Sequence, residues 1–438
     1  MESGLLIAVL LGVMFMLLGM GVWIGLSLMA VAAIAIELFT SRPAGDAIAT
    51  TIWSSSSSWM LTSLPMFVWM GDILYRTRLS EDLFRGLSPL MSRWPGGLLH
   101  TNIMGCALFG SVSGSSAATL STVAKMAVPE LKKRNYPEPM VIGTLAGPAT
   151  LGLMIPPSIM MIVYGVMTSE SIAAINIAGV FPGLVLAAMF SIYIAIQASL
   201  MRDFNPLPEP RSTWREKIVA SRRLIPVVAL LIVVIGSMFA GVATATEAAA
   251  LGVGGSLGLA WRQGTLNWQN FMGSLLSATR TSAMIAFILA AAAALSLAMG
   301  FTGIPRHLAE WVAGMDFSAF WLLMVLLVVY SVLGCFLDGI SCIALTIAII
   351  EPMVRHAGID MIWFGIFVVL VVEMAQITPP VGFNLFVLQG MTGYSIFRIA
   401  RWSLPMFGIM VLMVFVLIAF PGLATWLPAQ MLPGPPAG

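Results

Sequence analysis

Twice in this chain a pair of prolines interrupts an apolar stretch long enough to cross a membrane: Pro156-Pro157 within Pro139 to Met167, and Pro379-Pro380 within Met361 to Met391. Proline lacks a backbone N–H and clashes with the preceding turn, so a helix must break at each pair. Backbone groups freed in this way persist at membrane depth only where protein or a wet cavity surrounds them. The breaks are therefore expected to line a site. That the surroundings are a membrane follows from composition, since 59% of the 438 residues are apolar and 9% charged, against about a quarter charged in soluble domains. A water-soluble globule is excluded. Continuous spans are expected at about 4–21, 22–40, 55–75, 173–200, 223–241, 246–261, 280–300 and 405–425, most of them close to the roughly 20 residues a bilayer core demands.

Two other apolar stretches, Leu99 to Lys132 and Phe320 to Met353, are interrupted midway by Gly and Ser, at Gly110-Ser-Val-Ser-Gly-Ser-Ser116 and at Asp338-Gly-Ile-Ser341. Each half reads as too short to cross, so each stretch is expected to enter and leave by one face as a re-entrant hairpin. The landmarks recur in order and at nearly constant distance. Gly114 and Gly339 are 225 residues apart, Pro156 and Pro379 are 223, Tyr136 and Ile359 are 223, and Leu79 and Ile304 are 225. This spacing implies an internal duplication. Residues 1–205 form the first repeat, with its hairpin at about 99–134 and broken helix at about 139–167. A polar linker occupies 206–222, and 223–438 form the second repeat, with its hairpin at about 320–354 and broken helix at about 361–391.

Short cytoplasmic loops hold the excess of Lys and Arg. Placing the Arg202 to Arg223 connection in the cytoplasm, and treating both hairpins as re-entrant, leaves only Arg42, Arg306 and Arg355 of the 21 basic residues outside. Both termini are then periplasmic, the hairpins enter from opposite faces, and the repeats are inverted, an arrangement found in secondary transporters. The fold expected is all-α and polytopic. The first apolar run reads as a retained span. Ser54 to Ser58 reads as a helix start without function, the three cysteines (Cys106, Cys335 and Cys342) as packing residues, and the three histidines as rim residues. A net charge of +2 gives no reason to expect a nucleic-acid partner.

Hydroxyls and freed carbonyls without a carboxylate cage or a His/Cys cluster suit a weakly held alkali cation. For one sodium the expected ligands are Ser111, Ser113, Gly114, Ser115, Gly147 and Thr150, and for a second Asp338, Gly339, Thr378, Pro379 and Gly382. Ser116, Pro156, Pro157, Ser341 and Asn384 are expected to meet a substrate, whose anionic group half-helix N-termini favour. Asn384 could donate to a substrate carboxylate or satisfy a freed carbonyl. Glu373 could hold a proton or an ion, or pair with another helix. No arginine stands clearly at the midplane.

Phe109-Gly-Ser-Val-Ser-Gly-Ser-Ser-Ala117, Ile155-Pro-Pro-Ser158 with Tyr164-Gly165, Gly241-Val-Ala-Thr-Ala-Thr-Glu-Ala-Ala249, Phe336-Leu-Asp338 and Ile377-Thr-Pro-Pro-Val-Gly-Phe-Asn-Leu-Phe386 together resemble the large membrane subunit, DctM type, of tripartite ATP-independent periplasmic (TRAP) transporters. The resemblance runs from about Leu64 to Gly390. It departs at Gly339, where the family usually has proline, and at Ala245, within its Thr-Pro-Thr-Glu motif. It implies sodium-driven uptake of a small organic acid, carboxylate or zwitterion, across the bacterial inner membrane by an elevator-like mechanism. It further implies a small DctQ-type membrane subunit, expected as a separate chain, and a periplasmic substrate-binding protein. No cofactor is expected besides coupling sodium ions. The competing readings are an ion channel, with the hairpins as pore loops, and an intramembrane enzyme, for which neither HExxH nor a GxGD-type motif is present.

Overall fold

The computed structural model describes residues 2–40, 43–201, 206, 213–303, 307, 318–379 and 382–431, and among these every regular element is helical. Both interrupted stretches are helical hairpins. In the first, helices Leu99–Ser113 and Ser116–Lys133 meet at Gly114, whose φ of 59° is left-handed, a conformation that glycine adopts without a Cβ penalty. Ser115 then caps the second arm, its Oγ accepting from the Ala118 N–H at 3.3 Å. In the second, Ala319–Gly334 and Gly339–His356 flank a short turn. Asp338 starts the second arm by accepting from the N–H groups of Ile340 and Ser341 at 3.2 and 3.4 Å. Capping directly at the turn makes this arm 18 residues long and apolar enough to cross a membrane on its own. The expectation that each half falls short is corrected there.

Pro156, Pro157 and Pro379 lie in helix breaks. Glu138–Met154 and Ile159–Thr168 are bent by 42°, with Pro156 and Pro157 buried between them. Met361–Ala375 ends ahead of Pro379, and helix resumes as Phe383–Thr392; Pro380 and Val381 lie outside the described residues.

The hairpins and broken helices interlock. The first arm of each hairpin packs on the broken helix that follows it in the chain: a Cβ on Gly110 would fall 2.3 Å from the Cα of Gly152, and one on Gly334 would fall 2.6 Å from the Cβ of Ala375. The second arm packs on both broken helices, reaching the other one beyond its break. Ser116–Lys133 lies along Phe383–Thr392 and Gly339–His356 along Ile159–Thr168. A separate core joins Glu2–Gly19 and Ile24–Phe39 to Trp268–Thr302. Ala32, Ala35, Ala291, Ala294 and Ala298 are fully buried in it, small residues that let helix backbones approach closely.

Several boundaries differ from the expected ones. Among the described residues four helices (Ile172–Leu200, Trp268–Thr302, Gly339–His356 and Ile396–Ala419) are long and apolar enough to cross a membrane, or six segments counting the two bent pairs. Trp268–Thr302 begins well before residue 280 because Asn267 caps it, accepting from the Asn270 N–H at 2.7 Å. The serine run ends a helix rather than starting one, since Ala44–Ser56 stops there and hydroxyls such as Thr51 and Ser54 bond carbonyls three or four residues back. The linker carries an unexpected helix, Trp214–Ser221, built on a Thr213–Glu216 capping box and tied to Asp82 through Arg223 at 3.3 Å. Residues 207–212 of that linker, and Arg42, Ile304 and Arg306, lie outside the described residues. His100 is 1% exposed and its Nε2 is 2.7 Å from the Pro95 carbonyl, so it is a buried residue and not a rim residue. The turn from Trp94 to Leu98 folds over it.

Candidate functional site

The interlock brings both hairpin tips to one place. A Cβ on Gly114 would lie 3.0 Å from Ile159 Cγ1, and one on Gly339 would lie 2.5 Å from Met160 Cε. The tips therefore abut consecutive residues at the start of the helix that follows the first break. That start is fixed by Ser158, whose N–H donates to Asn176 Oδ1 at 2.9 Å while Asn176 Nδ2 donates to the Ile172 carbonyl at 2.8 Å.

At the first tip the oxygens gather around Ser113. Its Oγ is 2.8 Å from Thr119 Oγ1, 3.2 Å from the Ser115 carbonyl and 3.5 Å from the Gly110 carbonyl. Thr119, fully buried, is absent from the sequence-based ligand set. Its position one turn into the second arm, on the side of Ser115 and Ser116, is the signal that could have found it. Ser111 donates to the Leu108 carbonyl at 2.9 Å and Thr150 to the Gly147 carbonyl at 2.6 Å. Gly147 is seated against Met406, with 2.5 Å left for a Cβ.

At the second tip the Asp338 carboxylate caps its helix and also accepts from the buried Ser341 hydroxyl. Across from it lies the second break. Thr378 Oγ1 donates to Ala375 at 2.8 Å and is 3.1 Å from Cys335 Sγ. Gly382, at φ 39°, donates to the Cys335 carbonyl at 3.3 Å and crowds the Thr378 and Gln376 carbonyls, which stand 2.5 and 3.1 Å from its Cβ direction. Pro379 is exposed. Gln376, another residue outside the sequence-based set, ties break to tip: its Nε2 donates to Leu337 at 3.4 Å and its carbonyl accepts from the Asn384 N–H at 3.1 Å. The freed carbonyl is thus met by the Asn384 backbone and not by its side chain.

Asn384 is fully buried, and neither Oδ1 nor Nδ2 has a partner. Glu373 is 1% exposed with Oε2 unpartnered, and Ser116 is its polar neighbour. Glu247, in contrast, is an exposed capping-box residue bonded to Thr244 at 2.8 Å. No group of three or more His, Cys, Asp or Glu side chains converges among the described residues.

Helices long and apolar enough to cross a membrane, beside two interrupted ones, are those of a polytopic membrane protein. The chain matches "Tripartite ATP-independent periplasmic transporter, DctM component" over residues 11–423, and it belongs to that family. It is 31% identical to the C4-dicarboxylate TRAP transporter large permease protein DctM of Pseudomonas aeruginosa over 402 residues, 91% of each chain. It is 30% identical to the ectoine/5-hydroxyectoine TRAP transporter large permease protein UehC of Ruegeria pomeroyi, over 84% of this chain and 85% of that one. The isethionate TRAP transporter permease protein DctMQ of Oleidesulfovibrio alaskensis is 28% identical over 94% of this chain and 64% of its own length. Among solved structures, the Alcanivorax borkumensis YdaH transporter has the same fold at 14% identity, with a TM-score of 0.65 over 94% of this chain and 98% of that one.

Proposed function

We propose that this chain is the large permease of a sodium-coupled symporter that imports a small organic acid, carboxylate or zwitterion, across a bacterial inner membrane after a periplasmic binding protein delivers it. The observation that carries this reading is the meeting of both hairpin tips at Ile159 and Met160. Two oxygen-rich turns then lie against the start of one helix. Ser113, Thr119 and the carbonyls of Gly110 and Ser115 would hold one sodium. The Asp338 turn with the Gln376 and Thr378 carbonyls would hold another, and Ser116, Ser341 and Asn384 would face the passenger. Ser111, Gly114, Gly147, Thr150, Gly339, Pro379 and Gly382 shape these turns.

In this reading the hairpins are re-entrant from opposite faces, and the two halves are inverted repeats. The interlock supports that symmetry, because each hairpin treats its own and the opposite broken helix in the same way. Hairpins and broken helices would move as one body against the core around Trp268–Thr302, with a small DctQ-type subunit at the fixed side. Both termini would be periplasmic.

The energetics are sufficient. A sodium ion entering down a tenfold gradient gains about 1.4 kcal/mol, and about 2.3 kcal/mol more across 100 mV. Two ions supply about 7 kcal/mol. A monoanionic substrate opposes this with about 2.3, leaving about 5 kcal/mol, more than a thousandfold accumulation. Radiolabelled uptake into proteoliposomes with the partner subunits tests the reading. It should stop when choline replaces sodium, and uptake that continues unchanged removes sodium from the mechanism.

A further inference from the structure

The seam between the first hairpin and the second broken helix holds polar groups that sodium binding leaves unused. Glu373 is 1% exposed, and its Oε2 has no partner. None of the ion pairs among the described residues includes it. Ser116, its polar neighbour, opens the second arm of the first hairpin. Asn384, fully buried with both amide atoms unpartnered, stands in the first turn of Phe383–Thr392, the helix packed along that same arm.

A buried carboxylate that no internal cation answers is strongly unfavourable by itself. It becomes favourable when a ligand brings the positive charge. A dicarboxylate brings no positive charge and leaves the ionised form of Glu373 unanswered. An ammonium or amidinium group would donate to Glu373 and Ser116, while Asn384 Nδ2 donates to the ligand's carboxylate. We propose that Glu373, with Ser116 and Asn384, is a specificity site for the cationic end of a zwitterionic organic acid, so that this permease selects zwitterions over dicarboxylates. The inference names the substrate class of the site proposed above and rests on that reading.

Matched probes differing in one terminal group test it: succinate against β-alanine, glutarate against 4-aminobutyrate, and adipate against 6-aminohexanoate. Each is titrated into the purified full-length permease, in sodium or choline buffer, while thermal unfolding is followed. At least one zwitterion should raise the melting temperature saturably and only with sodium, with its dicarboxylate partner inert. Glu373→Gln should raise the half-saturating concentration at least tenfold, and Glu373→Asp should recover part of the loss. A dicarboxylate acting as well as its partner, silence of all three zwitterions, or indifference to Glu373→Gln overturns the proposal. If sodium alone still stabilises the protein in those cases, the transport reading stands while the specificity site falls; if sodium does nothing, both fall. Should Glu373→Gln fail to fold, Asn384→Ala and Ser116→Ala must each weaken the zwitterion response, and no change in either overturns the assignment.

Discussion

Arg355 pairs with Glu170 at 3.0 Å and thereby fastens the exit of the second hairpin to the loop behind the first broken helix. The opposite fastening exists as well: Lys132, at the exit of the first hairpin, donates to Tyr394 in the loop behind the second broken helix, at 3.2 Å. Lys132 and Arg355 are 223 residues apart, and Glu170 and Tyr394 are 224. Each half thus clasps the other with matching positions, the relation a duplicated chain would leave. Both ends of the ion pair are partly exposed, and such pairs contribute about 0.2–1 kcal/mol. Arg355→Glu, which also loses the Glu351 pair and sets like charges together, should lower the melting temperature slightly while slowing uptake two- to fivefold. The swap Arg355→Glu with Glu170→Arg should restore it, and a double variant no faster than the single would show that the clasp does not matter.

Gly110 and Gly152 set the closeness of the first hairpin to its broken helix. Gly110→Ala or Gly152→Ala should destabilise the protein by about 1–3 kcal/mol, the usual penalty of overpacking, because the opposing atoms are backbone. Gly254→Ala, with nothing within 4 Å, is the neutral control. Thermal unfolding in detergent reads both.

Asp338 has two roles that mutation separates. Asparagine still caps a helix, whereas alanine loses about 1 kcal/mol. Asp338→Asn should keep the melting temperature yet raise the sodium concentration for half-maximal uptake at least tenfold. A normal sodium response in that variant would reduce Asp338 to a cap.

Ser113 and Thr119 share the other proposed ion. Ser113→Ala and Thr119→Ala should each raise the sodium requirement about tenfold. Thr119→Ser, which keeps the hydroxyl, should stay close to wild type. Sodium titration of uptake rates decides this, and equal loss in both Thr119 variants would point to packing instead.

What the sequence made legible was whatever local chemistry enforces. Pro156 and Pro157 interrupt a helix, and Gly114 and Asp338 turn or start one, because local chemistry leaves little else. The family assignment rested on the same motifs. What stayed hidden depends on partners distant in the chain. Thr119 joins Ser113 only once the arms fold together, and Asn176 serves Ser158 from the next helix. Ser111 and Thr150 each donate to a carbonyl three residues back, a partner that residue type does not name. Trp214–Ser221 was read as linker because polar and basic residues surround it, although its capping box was present in the sequence.

Sidedness of the two hairpin exits tests the central claim most directly. Lys133 and His356 are both exposed at those exits. Single cysteines at each can be introduced after Cys106, Cys335 and Cys342 are replaced by alanine. In intact spheroplasts a membrane-impermeant maleimide should label His356→Cys but not Lys133→Cys, which should react only after permeabilisation. Labelling of both from the same face would contradict oppositely inserted hairpins and the transport mechanism built on them.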